Sequence, residues 1–103
     1  MVSKKEKTWE YSCQLTFNGR LIVKYTITDY YRKHIKHGIT RNTIKSVVRK
    51  LDGEELKPRK RHGNRDAFVW EWVPYEGKEY RLIFWHDDNN PNALWIKNCY
   101  PID

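Results

Sequence analysis

Residues that cross-link chains or bind metals are scarce in this sequence. Cys13 and Cys99 are its only cysteines, and neither belongs to a close ligand pair. That spacing excludes a disulfide framework and a cysteine-rich zinc site. The two read as free thiols of a reducing compartment, with a single disulfide as the alternative. Apolar runs are short, and none approaches membrane-spanning length. No apolar stretch follows the charges of Met1-Val2-Ser3-Lys4-Lys5-Glu6-Lys7, so no signal peptide is expected and the sequence reads as soluble and cytoplasmic, with a fragment of a larger exported chain as the alternative. Internal repeats and low-complexity linkers are also missing. One domain over residues 1–103 is expected, with 1–7 as a disordered basic N-terminus.

Positive charge and aromatic rings are what the sequence has in excess. Twenty Lys and Arg against thirteen Asp and Glu give a formal charge of +7, which makes a polyanion the first partner to consider. Five Trp and seven Tyr are too many for a disordered basic tail, so the chain should fold. Most of these rings read as core or sheet residues, and the remainder as surfaces on which bases stack.

Alternation marks the first strand: Trp9, Tyr11, Cys13, Leu15 and Phe17 interleave with Glu10, Ser12, Gln14 and Thr16. Asn18-Gly19 supplies a tight turn, and Leu21, Val23, Tyr25 and Ile27 continue the pattern, which predicts a hairpin over 8–28. Thr28 or Asp29 caps a short helix over 29–37 that Gly38 stops. Thr40 or Asn42 starts a second helix over 41–52, where Ile44, Val47, Val48 and Leu51 follow a helical spacing up to Asp52-Gly53. Residues 57 to 65 are the most basic stretch and read as a mobile loop or a frayed strand start. A meander follows: Phe68, Trp70 and Trp72 alternate on one face up to Glu76-Gly77, Tyr80 to Trp85 forms a central strand, and Ala93 to Tyr100 closes it. The expected fold class is α+β: an N-terminal β-hairpin, two short helices packed on one sheet face, and a three-stranded antiparallel meander.

Chemistry concentrates in the segment Tyr30 to Arg41. Tyr30, His34 and His37 share a helical face, and either histidine is a candidate general base on a ribose 2′-hydroxyl. Lys33, Lys36 or Arg41 would neutralise charge growing on a phosphate. The bland reading is a basic surface helix. His34 and His37 would also form half of a metal site with His86 or Cys99, but the second close ligand pair is missing, so no metal and no cofactor is expected. Arg41, Lys45 and Arg49 form a cationic stripe on the second helix. Lys57, Arg59, Lys60, Arg61 and Arg65 extend it into a candidate phosphate-binding surface. Tyr100 is a candidate to orient a phosphate or donate a proton.

From Tyr30 onward, about two thirds of the sequence resembles the RelE/BrnT-like small bacterial ribonuclease toxins of the barnase–EndoU–colicin–RelE class. The likeness rests on Lys36-His37-Gly38-Ile39-Thr40, on Glu79-Tyr80-Arg81-Leu82-Ile83-Phe84 and on Leu94-Trp95-Ile96-Lys97-Asn98-Cys99-Tyr100-Pro101. It implies RNA cleavage without metal, with His37 and Arg41 as the first catalytic residues and Arg81 and Tyr100 next. It also implies an acidic antitoxin or other inhibitor protein as partner. The hairpin over 8–28 exceeds what such a protein needs. Two other functions fit the same residues: a non-catalytic nucleic-acid-binding module, and a basic domain that binds an acidic protein.

Overall fold

The structure, a computed structural model, describes residues 7–32, 38–62 and 65–102. Strand β1 (Thr8–Phe17) and strand β2 (Arg20–Thr28) form an antiparallel hairpin. Asn18 and Gly19 join them with φ of 52° and 73°, the paired positive values of a turn whose twist matches that of the strands. Trp9 opposes Ile27 and Tyr11 opposes Tyr25, and a bulge between Ser12 and Leu15 shifts the register. A 3₁₀ turn over 29–32 follows, anchored by the Tyr30 amide donating to the Thr28 hydroxyl at 3.4 Å.

Helix α1 (Arg41–Arg49) begins at Thr40, whose hydroxyl accepts from the Thr43 amide at 3.2 Å and so satisfies one free donor of the first turn. Its apolar residues Ile44, Val47 and Val48 are buried, as is Leu51 just beyond it. The chain leaves α1 through Gly53 at φ 85°. There the Gly53 amide donates to the Thr16 carbonyl at 2.7 Å, and the Thr16 amide donates to the Asp52 carboxylate at 2.8 Å. The end of α1 is thereby tied to the hairpin.

Strands β3 (Lys60–His62), β4 (Arg65–Tyr75), β5 (Lys78–Asp87) and β6 (Asn90–Ile102) complete one sheet in the order β1-β2-β6-β5-β4-β3. Glu76 and Gly77 turn β4 into β5 with φ of 51° and 79°. The ladders are antiparallel except where β2 runs parallel to β6, pairing Lys24–Ile27 with Ala93–Ile96. One face carries Phe17, Ile22, Ile27, Phe68, Leu82, Phe84, Leu94 and Ile96 into a core shared with the buried residues of α1. At its centre Phe17, Phe68 and Phe84 lie 5.1 to 5.4 Å apart by ring centroid. Cys99 is buried in the same core and its thiol is pushed up to about 12 by desolvation, while Cys13 is half-buried; both are free.

The α+β arrangement with two helices is not what the described residues form. They are mostly strand, with a six-stranded mixed sheet, one α-helix and one 3₁₀ turn. Only 29–32 of the expected first helix is described, as 3₁₀; residues 33–37 lie outside the described residues. The second helix stops at Arg49, and 50–53 form turns. The sheet gains strands on both sides of the expected meander. Lys60–His62, in the stretch read as a loop, pairs with Ala67–Arg65 at one edge. The hairpin joins the other side through the parallel β2–β6 ladder, a contact between segments about seventy residues apart that no local pattern encodes. No helix of the described residues is long and apolar enough to cross a membrane.

Candidate nucleic-acid interface

Strand alternation sends every second residue to the face away from α1, and no described helix packs there. On β5 this set is Arg81, Ile83 and Trp85, because Tyr80, Leu82 and Phe84 enter the core. The register adds Tyr100 opposite Arg81 and Trp95 opposite Trp85 on β6, and Val69 opposite Ile83 on β4. The site is thus built on three neighbouring strands rather than on loops.

At one end Arg81 bonds to two side chains, and a third reaches it through Glu71. Its Nη1 donates to the Tyr100 hydroxyl at 2.9 Å, and its Nε donates to Oε2 of Glu71 at 2.8 Å, with Nη2 on the same oxygen. Arg59 donates to the other Glu71 oxygen at 2.7 Å. Bonds from Arg59 and then Arg81 hold the Glu71 carboxyl below the usual carboxylate range, so it is ionised at neutral pH. Two guanidiniums share one carboxylate, which leaves the cluster with net positive charge. These side chains are partly exposed, so the pairs add little to stability.

Glu71 reaches Arg81 because β4 bulges between Trp70 and Val73, placing Glu71 and Trp72 opposite the single residue Arg81. Trp72 takes up the irregularity at φ 62°, a left-handed conformation unfavourable for a bulky side chain, and is 57% exposed. The expected alignment of Phe68, Trp70 and Trp72 on one face is broken there. Phe68 is in the core and Trp70 packs against it, while Trp72 is carried out to solvent.

At the other end the half-buried Trp85 and Trp95 lie side by side across the β5–β6 ladder. The Arg65 guanidinium sits 4.7 Å from the Trp85 ring centroid and is paired with Asp88. The Lys97 ammonium sits 4.1 Å from the ring centroid of Tyr30. A cavity of about 440 Å³ opens between Arg65, Trp85, Trp95 and Lys97, against the β5–β6 turn.

The residues singled out in the sequence fall on different surfaces. Arg81 and Tyr100 are brought together. Arg41 and Lys45 instead lie over the aromatic rings of β1: Arg41 is 4.4 Å from the Trp9 ring centroid and donates to the Tyr11 hydroxyl at 3.3 Å, and Lys45 is 4.4 Å from the Tyr11 ring centroid. Trp9 and Tyr11 pair with the core residues Ile27 and Tyr25, so these cations border the α1 side of the sheet. Arg49 is exposed at the end of α1. Lys57 and Lys60 are exposed, Arg61 is 3.5 Å from Asp66, and Arg59 and Arg65 reach the face that carries Arg81. His34, His37, Lys33 and Lys36 lie outside the described residues. His86 faces the core beside Phe17 and Phe68, with Nδ1 3.0 Å from the Pro91 carbonyl, and burial lowers its pKa. Among the described residues no group of three His, Cys, Asp or Glu is placed to hold a metal ion.

Sequence reasoning missed Glu71 and the pairing of Trp85 with Trp95. Glu71 reads as the polar member of an alternating strand, and only the bulge makes it a partner of Arg81. Comparison with protein-family models, with curated proteins and with solved structures finds no match for this chain.

Proposed function

We propose that this chain is a metal-independent endoribonuclease that holds RNA on the sheet face away from α1. The observation that carries this reading is Arg81, bonded at once to the Glu71 carboxylate and the Tyr100 hydroxyl. A proton acceptor, a proton donor and an anion receptor then stand together on rigid strands, which are the parts that RNA transesterification uses. In the reaction the ribose 2′-oxygen attacks the adjacent phosphorus and its proton passes to Glu71. The P–O5′ bond breaks, the leaving 5′-oxygen takes the Tyr100 proton, and the products are a 2′,3′-cyclic phosphate and a 5′-hydroxyl. Arg81 and Arg59 neutralise the charge that grows on the phosphoryl oxygens. A phosphate that draws these guanidiniums toward itself also loosens their hold on Glu71 and restores its basicity.

The same proposal covers a toxin's role in the cytoplasm, with an acidic antitoxin masking the basic face, a partnership that the net charge of +7 suits. Expression of the wild-type chain in bacteria should arrest growth, and Arg81→Ala should relieve the arrest. Harmless expression of folded wild-type protein would contradict the proposal. A second reading, RNA binding without cleavage, is favoured by Trp85 and Trp95, whose rings suit base stacking. It predicts affinity that falls steeply with salt and RNA that stays intact.

A further inference from the structure

We infer that the cavity between Trp85, Trp95, Arg65 and Lys97 is a nucleobase pocket, in which one unpaired base of single-stranded RNA stacks on the tryptophans while a neighbouring phosphate meets Lys97. The inference rests on the RNA reading above and adds a substrate class to it: unpaired rather than duplex RNA.

Four observations lead there. Trp85 and Trp95 are register partners on adjacent strands, so the ladder fixes their Cβ atoms side by side on one face. Both are half-buried, which leaves part of each ring for a planar ligand. The volume of about 440 Å³ lies in the range of small-molecule sites and admits a nucleotide. Finally, the charges around it are sorted. Arg65 lies along Trp85 and is neutralised by Asp88, whereas Lys97 has no carboxylate partner among the described residues. A cation beside two aromatic rings matches a base with its phosphate better than it matches an acidic peptide, whose carboxylates would use the cation and leave the rings without a planar partner. A base inside a duplex is already stacked and paired, and its plane cannot enter the slot.

The pocket and the Arg81 cluster lie on the same face of the same strands, since Arg81 and Trp85 are four residues apart on β5. A chain running along β5 and β6 would therefore meet both. Binding at the pocket and cleavage at Arg81 are nonetheless separable events.

The test uses a single-stranded 2′-O-methyl oligoribonucleotide, which cannot be cleaved because its 2′-oxygen carries no proton to lose. Titration is followed by quenching of tryptophan fluorescence and by calorimetry. Trp85→Ala and Trp95→Ala should each weaken binding roughly ten-fold. Trp95→Phe should keep most of the affinity, and Lys97→Gln should lower the salt slope by about one. The same sequence in a duplex should bind more weakly than the single strand. Full affinity in a Trp95→Ala protein with wild-type circular dichroism and melting would overturn the pocket. So would equal binding of duplex and single strand, or displacement of the oligonucleotide by polyglutamate at equal concentration. Cleavage lost with this binding intact would count only against the ribonuclease reading, and binding indifferent to both tryptophans with cleavage intact only against the pocket.

Discussion

Arg81 and Tyr100 face one another across the β5–β6 ladder, and the guanidinium donates to the phenol oxygen at 2.9 Å. The pair faces away from α1, and the bulge in β4 delivers Glu71 to it. Sheet register, rather than any contiguous motif, assembles the site.

If Glu71 takes the 2′-proton, Glu71→Gln should reduce cleavage by on the order of a hundred-fold or more while RNA binding persists. The amide keeps the shape, and its one oxygen can still accept from Arg81 while the Arg59 bond is lost; that bond is on the surface, so the circular dichroism spectrum should not change. Single-turnover rates with labelled RNA would measure the loss. A rate within a few-fold of wild type would remove Glu71 from the chemistry.

Trp72 allows a test of backbone strain that does not depend on function. Trp72→Gly and Trp72→Ala both delete an exposed ring, but only glycine adopts φ 62° without steric cost. The glycine variant should be more stable than the alanine variant by about 1 kcal/mol in urea unfolding. Equal stability, or a more stable alanine variant, would show that the left-handed conformation carries no strain.

Thr40 caps α1 on its own, and Thr40→Ala should cost about 1 kcal/mol. The substitution borders the α1 side of the fold and should leave affinity for RNA within two-fold of wild type, to order of magnitude. Denaturant midpoints and the oligonucleotide titration together check this. A loss of binding without loss of stability would place RNA on the helix side.

His86 should make the protein less stable in mild acid. Burial holds its folded pKa below the usual 6.5, so the unfolded chain takes the proton first as the pH falls. The stabilisation is present in full above the unfolded pKa, is lost as pH falls toward the folded pKa, and stays level below it. Urea midpoints at about pH 7.5 and about pH 5 should differ less in His86→Phe than in wild type. An unchanged difference would mean that His86 does not contribute.

Local chemistry was legible in the sequence and long-range pairing was not. Asn18-Gly19, Thr40 and Glu76-Gly77 mark their turns and cap because each acts on residues within one turn of chain. The parallel β2–β6 ladder is invisible locally: Tyr25 and Leu94 become neighbours only when the sheet assembles. The alternation through Phe68, Trp70 and Trp72 misled because a bulge adds one residue and moves the third ring to another side. Of the site, Arg81 and Tyr100 were legible as candidates. Their contact, and the part of Glu71, required the register. Arg41, a first catalytic candidate by the family resemblance, lies over Trp9 along the other side of the sheet.

The most direct measurement is incubation of purified wild-type, Arg81→Ala and Tyr100→Phe proteins with single-stranded RNA in excess chelator, with the product ends identified by mass spectrometry. Wild type should yield 2′,3′-cyclic phosphate and 5′-hydroxyl ends despite the chelator. Both variants should be slowed by on the order of a hundred-fold. Intact RNA with folded wild-type protein, or equal cleavage by all three proteins, would contradict it.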